Sequence, residues 1–224
     1  EVGIGVGGVA NHNASVEGAE VVGIDLGYAV DPAYRHFGTN PFLHIVQASA
    51  FAPPFPDKRF DFVYSFGVLH HTFDTKVAFD SVSRLPKPGG KLYVWVYSPH
   101  DESRNLVRRV LMGLENVVRP VVARLPDDAQ TVALTPLVPL YVGYQWLRSR
   151  RGQGQIRYGW REAMHAARDR FTPRYIHRHT DDELRQWFSA AGYRSLVANS
   201  ELPKPDYVPI AFTACAGVEG VRVS

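Results

Sequence analysis

The chain has 224 residues, of which 45% are hydrophobic and 21% are charged, and its formal net charge is +3. These values are those of an ordinary globular protein, long enough to bury a sizeable core without a covalent staple. Its one cysteine, Cys215, excludes an intramolecular disulfide and a cysteine-based metal site. Nothing indicates secretion, so we predict a cytoplasmic protein. A net charge this small does not by itself indicate nucleic-acid binding.

The first hundred residues alternate between strand and helix patterns. The sequence begins at Glu1, within residues typical of the end of a strand, so we expect the natural chain to continue before it. No signal peptide is recognised. Further strands are predicted at the β-branched and aromatic runs 20–26, 43–47, 60–65 and 91–97. Helices are predicted at 30–37 and 75–85, the second stopped by the run 86–90. This alternation predicts crossover connections and a mostly parallel sheet.

The pattern changes after Ser98. Apolar spacing predicts an amphipathic helix over 105–125, with Pro120 as a break. The uncharged stretch 131–147 is too short and too rich in proline to span a membrane, and the basic run 148–157 is predicted as a loop. We therefore expect a mainly helical insertion at 101–176, after the fifth strand. An insertion there can cover the carboxyl ends of the strands as a lid, or form an oligomer interface.

The α/β pattern resumes near residue 180. Thr180 and Glu183 are spaced as a capping box, in which the Thr hydroxyl accepts from a first-turn amide and the Glu side chain reaches back. The helix is predicted to end near Ala191, with Gly192 as its cap. Two more strands are predicted near 194–199 and 207–216.

A glycine-rich loop, EVGIGVGG, opens the chain. Gly3, Gly5 and Gly7 allow the backbone to turn tightly and to approach a ligand closely. Asp25, at the end of the next strand, can accept hydrogen bonds from both ribose hydroxyls of a nucleoside. The loop and the acid together predict a nucleoside cofactor, without separating a nicotinamide cofactor from S-adenosylmethionine.

Two further segments, PPFPDKRFDFVYSFGVLHHT at 53–72 and LPKPGGKLYVWVY at 85–97, resemble class I S-adenosylmethionine-dependent methyltransferases, in particular their type 11 group. The resemblance covers 1–100, extends loosely to 171–193 and is weak over 101–170. It implies an α/β fold: a Rossmann-like, mostly parallel seven-stranded sheet with flanking helices. The core would comprise 1–100 and 177–224, and S-adenosylmethionine would be the cofactor.

The resemblance also implies roles for residues at the strand ends. Glu1 would hold the methionine amine, and Gly3, Gly5 and Gly7 would pack under the methionine. Asp25 would bind the ribose, with Leu26 against the adenine. The other cofactor contacts would be Ser49, Ala50, Ser65, Phe66 and His70. The family usually has an acid at the place of Ser49, so we predict weaker cofactor binding, because a charge-assisted hydrogen bond is roughly twice as strong as a neutral one.

Methyl transfer is an in-line displacement that mainly requires alignment and exclusion of water. His70 and His71 follow the fourth strand, so either is a candidate general base, or both simply pack or cap a helix. Tyr175, His177 and His179 alternate at strand spacing, which suits an acceptor pocket or a bridge between insertion and core. No metal site is predicted, because three histidines without a cysteine or acid at regular spacing are weak evidence for one.

Several functions are consistent with these residues. The leading hypothesis is a methyltransferase for a small-molecule acceptor, without a nucleic-acid partner and with a homo-oligomer through the insertion as an option. An RNA (tRNA) methyltransferase is a second hypothesis, motivated by Arg148, Arg150, Arg151 and Arg157. A catalytically inactive interaction subunit and a nicotinamide dehydrogenase are the others. The sequence does not define the acceptor atom.

Overall fold

A computed structural model describes residues 1–99, 106–150, 159–201 and 215–223. The chain divides into two compact units. The first comprises Glu1–Ser98, His177–Leu202 and Cys215–Ser224, and the second comprises Pro99–Ile176 and Pro203–Ala214. All the described strands belong to the first unit, whereas the described elements of the second are helical.

Six strands and eight α-helices are described. The strands are β1 (Val21–Asp25), β2 (Leu43–Gln47), β3 (Phe60–Phe66), β4 (Pro86–Val96), β5 (Tyr193–Ala198) and β6 (Ala216–Arg222). The helices are α1 (Gly8–Ser15), α2 (Val30–Phe37), α3 (Thr75–Val82), α4 (Leu106–Val122), α5 (Asp127–Leu134), α6 (Val138–Arg150), α7 (Trp160–Phe171) and α8 (Asp181–Ala190). Short 3-10 helices lie at Leu69–His71, Thr135–Leu137 and Asn199–Glu201.

The strands form two hydrogen-bonded sheets. β1 pairs with β2 in parallel, and the second sheet has the order β3-β4-β6-β5. β3 and β4 are parallel, but β6 is antiparallel to both β4 and β5. Val2 makes isolated parallel bridges to Ile24 of β1 and Ser65 of β3, and so lies between the two sheets. β1, β3 and β4 therefore end at the same edge.

The prediction of a seven-stranded, mostly parallel sheet is confirmed only in part. Within the described residues there are six strands in two sheets, and the pairing is mixed because β6 runs against its neighbours. Val2 pairs through single bridges only, since the chain turns at Gly3 immediately after it. The strand predicted at 207–216 lies largely outside the described residues, and β6 begins at Ala216.

The structure changes several predicted helix boundaries. α3 ends at Val82, and the run predicted as its stop, 86–90, belongs to β4 instead, because Phe60 of β3 pairs with Pro86. α4 continues through Pro120 to Val122, so the predicted break does not occur before the last turn. The uncharged stretch 131–147 is divided between α5, a 3-10 turn and α6.

The first unit has two hydrophobic core clusters. α3 and α8 contribute Phe79 and Phe188 to a cluster with Leu92 and Val94 of β4, all fully buried. A second cluster joins β1 and β2 to α1 and α2 through residues such as Ile4. Burial of these apolar side chains is the main source of stability, and it fixes the strand ends that carry the site.

The second unit packs its helices around an apolar cluster with a buried ion pair beside it. Val122, Leu134 and Ala167 form the cluster. Arg119 donates to Glu115 Oε1 at 2.7 Å, with both side chains almost fully buried. Among the described residues, no helix combines the length and apolarity needed to cross a membrane.

Candidate cofactor and active site

The predicted site residues gather at the carboxyl edge of the strands. Asp25 ends β1, Phe66 ends β3, and the glycine-rich loop follows Val2, which bridges these two strands. In open α/β sheets this edge forms the ligand-binding crevice, because the loops that follow the strands leave free backbone groups there. The fold therefore places the loop and the acid side by side.

Asp25 holds the glycine-rich loop in place. Its Oδ2 accepts from the Gly5 N–H at 3.0 Å, and its Oδ1 accepts from the Gly27 N–H at 2.9 Å. A carboxylate has about four lone-pair sites, so both oxygens retain capacity to accept from a ligand hydroxyl. The predicted ribose acceptor is thus also the side chain that connects the loop to the end of β1.

The three predicted loop glycines have different surroundings. A Cβ on Gly3 would lie 2.1 Å from Val68 Cγ2, and one on Gly7 would lie 3.2 Å from the Phe37 ring. At Gly5 (φ +53) a Cβ would meet nothing within 4 Å. Gly3 and Gly7 therefore serve close packing inside the protein, while the open space lies over Gly5. The backbone at Gly5 is therefore open to the close approach of a ligand such as a nucleoside cofactor.

Glu1 belongs to a small polar network that the sequence analysis missed. The Tyr64 hydroxyl donates to Glu1 Oε2 at 3.0 Å, and Asn13 Nδ2 donates to the Tyr64 hydroxyl at 2.9 Å. Burial raises the pKa of the Glu1 carboxyl, and burial together with that carboxylate raises the pKa of Tyr64 above its usual range. The sequence pattern places Tyr64 in a strand, but strand alternation does not reveal a hydroxyl partner across the sheet.

Two further predicted cofactor contacts, Ser65 and Ser49, form hydrogen bonds within the protein. Ser65 is fully buried and its hydroxyl donates to the Val2 carbonyl at 3.1 Å. Ser49 Oγ accepts from the Phe51 N–H at 3.2 Å in the turn that includes Ala50.

Two predicted contacts present apolar surface instead. Phe66 stacks on Trp95 with ring centroids 4.5 Å apart, and Leu26 is 69% exposed. Leu26 follows Asp25 directly, so apolar surface lies exposed beside the carboxylate.

His70 is the most unusual polar group at this edge. It is 0% exposed, and neither ring nitrogen has a hydrogen-bond partner among the described residues. Its ring lies 4.1 Å from that of Tyr97 and 4.0 Å from that of His71, centroid to centroid. Burial, reinforced by His71, His179, Arg178 and His177, lowers the pKa of His70 to about 2. The imidazole is therefore neutral near pH 7, and the near-neutral titration expected of a general base is absent here.

The segment at 177–179 is joined to the same edge by backbone hydrogen bonds. The His177 N–H donates to the His70 carbonyl at 2.9 Å, and the His179 N–H donates to the Tyr97 carbonyl at 2.8 Å. His177 Nε2 lies 3.0 Å from the Thr72 carbonyl, which can only accept, so Nε2 carries the proton. His177 and His179 are thus brought to His70, whereas Tyr175 belongs to the second unit.

The Thr180 half of the capping box is confirmed, because its hydroxyl accepts from the Glu183 N–H at 3.1 Å. The Glu183 carboxylate lies 3.0 Å from His179 Nδ1, out of hydrogen-bond alignment, rather than at the Thr180 amide. His179 also packs edge-on against Trp187, with ring centroids 4.8 Å apart. Its orientation is thereby fixed from two sides.

Metal ligation finds no support in the described part of the chain. No group of three or more His, Cys, Asp or Glu side chains there is arranged to hold a metal ion. A shallow cavity of about 510 Å³ lies between α2 and β2, lined by Val30, Asp31, Tyr34, Arg35, Ile45 and Gln47. It contains none of the predicted site residues, so it is not the candidate site.

The fold is that of a Rossmann-like α/β domain, with the glycine-rich loop and Asp25 at the carboxyl edge of its strands. Residues 1–94 match the family described as "Methyltransferase domain". The resemblance to class I S-adenosylmethionine-dependent methyltransferases seen in the sequence is therefore supported over this part of the chain.

Curated relatives agree on the class and differ in acceptor. A sterol 24-C-methyltransferase of Aspergillus fumigatus is 31% identical over 122 residues, which are 51% of this chain and 32% of the relative. Phosphoethanolamine N-methyltransferase 2 of Caenorhabditis elegans is 31% identical over 100 residues, covering 43% of this chain and 23% of the relative. The chain thus spans about a third or less of the length of these relatives.

Solved structures show the fold. Phosphoethanolamine N-methyltransferase 2 of Haemonchus contortus, in complex with phosphomonomethylethanolamine and S-adenosylhomocysteine, aligns with a TM-score of 0.56 at 14% identity. The alignment covers 100% of this chain and 48% of that chain. Human N-acetylserotonin methyltransferase in complex with S-adenosylmethionine aligns with a TM-score of 0.54 at 16% identity, covering 100% of this chain and 46% of that one.

Proposed function

We propose that the chain transfers a methyl group from S-adenosylmethionine to a small-molecule acceptor. The observation that carries the proposal is the open space over Gly5, in a loop held by Asp25, within a methyltransferase domain. A tight backbone loop beside a strand-end carboxylate recognises a nucleoside attached to a compact polar group. The cofactor contacts predicted from the sequence belong to this proposal.

When bound, S-adenosylmethionine supplies a methyl group on a sulfonium sulfur, which is already activated for displacement. The protein then has to align the acceptor and exclude water. Gly5 and Asp25 would set the position of the nucleoside end. The apolar surfaces of Leu26 and the stacked Phe66–Trp95 pair would shield the site from water.

A base is required only for an acceptor whose proton would not otherwise leave. His70, with a pKa of about 2 and no exposed surface, is a weak base that a bound acceptor would not reach, so it would support the site by packing rather than by removing a proton. His71, next to it in the same 3-10 turn, is the better candidate if a base is used. His177 and His179 would line the acceptor side of this edge.

The acceptor class is supported by the names of the relatives. A sterol carbon and a phosphoethanolamine nitrogen are different acceptor atoms, but both acceptors are small molecules. The shared feature is what we propose for this chain, and the acceptor atom is left open. Nucleic-acid methylation was suggested by four arginines, of which Arg151 and Arg157 lie outside the described residues.

Calorimetry with S-adenosylmethionine, S-adenosylhomocysteine and NAD tests the cofactor. We expect the first two to bind and NAD not to bind. At about 100 times its dissociation constant, a bound ligand should stabilise the fold by about 2.7 kcal/mol. Asp25→Ala should abolish the binding, whereas Asp57→Ala, which removes an exposed acid elsewhere, should not.

Release of S-adenosylhomocysteine with a panel of amine, phenol and carbon acceptors then tests the reaction. Turnover with a small acceptor but not with RNA supports the proposal. Failure of both S-adenosyl compounds to bind at millimolar concentration would refute it in favour of an inactive interaction subunit.

A further inference from the structure

The main chain at Glu1 is held in place by backbone hydrogen bonds. The Glu1 carbonyl accepts from the Ile24 N–H at 2.9 Å, and the Val2 N–H donates to the Tyr64 carbonyl at 2.8 Å. The Glu1 amino group donates to the Val22 carbonyl at 2.8 Å. The backbone is thus fixed between β1 and β3, and only the side-chain torsions of Glu1 remain to be set.

A directional chain of hydrogen bonds sets that side chain. The amide nitrogen of Asn13 can only donate, so the Tyr64 oxygen is the acceptor in the 2.9 Å contact between them. The hydroxyl hydrogen of Tyr64 is then available for Glu1 Oε2, 3.0 Å away, because a carboxylate oxygen can only accept. The donors follow the order Asn13, Tyr64, Glu1, and the carboxylate is held in one orientation.

The three side chains of this network stand on elements that adjoin the glycine-rich loop. Glu1 precedes the loop, Asn13 lies on α1, which begins at Gly8 at the end of the loop, and Tyr64 lies on β3. The Tyr64 ring stacks on Phe62, with ring centroids 5.4 Å apart and planes 27° apart. Removal of the hydroxyl alone should therefore leave the ring in place.

The surroundings of the Glu1 carboxylate favour a cationic ligand. Burial raises the pKa of Glu1, its own amino group and the Tyr64 hydrogen bond lower it, and the charge of Asp25 raises it. Asn13, the remaining member of the network, is neutral. An ammonium group beside Glu1 would offset both the burial of the carboxylate and its repulsion by Asp25, because an opposite charge favours the ionised form.

We propose that Tyr64, supported by Asn13, is a positioning residue that keeps the Glu1 carboxylate ionised and oriented for the ammonium group of the methionine part of the cofactor. The inference rests on the proposed function, which assigns that part of the cofactor to Glu1. A carboxylate has about four lone-pair sites, so the bond from Tyr64 leaves sites on both oxygens for the ammonium group. Tyr64 would act through Glu1.

Carboxyl-carbon NMR of the full chain, labelled at glutamate, tests the hydrogen bond without a ligand. Tyr64→Phe removes only the hydroxyl, so the pKa of Glu1 should rise relative to the wild type. Asn13→Ala should raise it less, because the Tyr64 hydroxyl is retained. Tyr93→Phe, at the position of β4 paired with Tyr64, is the matched control and should leave the pKa of Glu1 unchanged. Glu1→Gln assigns the signal.

Calorimetry with two ligands tests the positioning. Tyr64→Phe should weaken binding of S-adenosylhomocysteine about tenfold and leave binding of methylthioadenosine unchanged, because only the first carries the ammonium group. As the pH decreases, the variant should lose affinity for S-adenosylhomocysteine at a higher pH than the wild type, since a carboxyl with a raised pKa takes up its proton earlier. In a Glu1→Gln background, Tyr64→Phe should have little further effect.

An unchanged pKa of Glu1 in Tyr64→Phe overturns the inference. So does an equal loss of affinity for both ligands, which would assign Tyr64 to support of the loop as a whole. If the wild type binds S-adenosylhomocysteine and Tyr64→Phe binds it equally well at every pH, the inference fails while the proposed function stands. If the wild type binds neither ligand, both fail. Circular dichroism confirms that each variant is folded.

Discussion

Gly3→Ala should mainly lower the stability of the fold, whereas Gly5→Ala should mainly lower cofactor affinity, although the two glycines are equivalent in the sequence motif. A Cβ on Gly3 would lie 2.1 Å from Val68 Cγ2, at a φ of +88 that disfavours any residue with a side chain. Overpacking costs about 1–3 kcal/mol and the backbone about 1–2 kcal/mol more, so we expect Gly3→Ala to lose about 3 kcal/mol of unfolding free energy. At a urea slope of about 2 kcal/mol/M, the midpoint should fall by about 1.5 M.

Gly5→Ala meets no neighbour, so only the backbone cost of about 1–2 kcal/mol applies. Its methyl group would instead occupy the space proposed for the cofactor. We expect a modest change in the urea midpoint and at least a tenfold loss of S-adenosylmethionine affinity by calorimetry. Gly3→Ala, measured on folded protein, should retain most of its affinity.

A double variant isolates the steric part of the Gly3 effect. Val68→Ala removes the methyl group at 2.1 Å but leaves Val68 Cβ at 2.8 Å, so it should recover only about 1 kcal/mol in the Gly3→Ala background. Equal stability losses at Gly3 and Gly5, or unchanged cofactor affinity in Gly5→Ala, would refute the assignment of packing to one glycine and ligand contact to the other.

Two further predictions concern charge at the same edge. The pKa of His70 is lowered to about 2 in the folded state, so below pH 6.5 the unfolded chain takes up a proton that the folded chain does not. As the pH decreases below 6.5, the unfolding free energy should decrease by up to about 1.4 kcal/mol per pH unit because of this group. His70→Gln should remove that slope, whereas His12→Gln, at an exposed histidine, should not. Urea titrations between pH 4 and 8 measure it, and equal slopes in the wild type and His70→Gln would contradict it. Ser49→Asp should tighten S-adenosylmethionine binding about tenfold in calorimetry, since it replaces a neutral acceptor with a charged one, whereas Ala52→Asp should not; an unchanged affinity would show that Ser49 does not face the adenine.

Elements defined by local pattern were predicted well. α2 and β2 have the predicted bounds, 30–37 and 43–47, because each is a short run whose spacing and flanking turn residues agree. The direction of β6 was not predictable in this way. Strand alternation carries no information on direction, and the antiparallel pairing is set by how the chain returns to β4 after α8 and β5.

The sequence predicted which residues lie at the site, but not what each of them does there. The motif identified the loop and Asp25, yet it could not distinguish Gly3 from Gly5, because that difference depends on Val68, a residue more than sixty positions away. Burial of His70 is likewise a tertiary property, and it changes a histidine expected to titrate near neutrality into a neutral one. Glu183 makes only half of the predicted capping box: its N–H donates to the Thr180 hydroxyl, but its carboxylate lies near His179 instead of at the Thr180 amide.

Asp25 illustrates why a loss of binding alone would not establish a ribose contact. Its two oxygens hold the N–H groups of Gly5 and Gly27, so its removal disorders the loop whether or not a ribose is present. Asp25→Asn keeps one acceptor and should lose about half of the stability that Asp25→Ala loses, about 1 kcal/mol against about 2 kcal/mol, in the absence of cofactor. If cofactor affinity falls in proportion to that loss, the acid acts through the loop. If affinity falls much further in the asparagine variant than its stability does, the carboxylate contacts the ligand directly, because only a direct contact senses the charge after the loop has been retained.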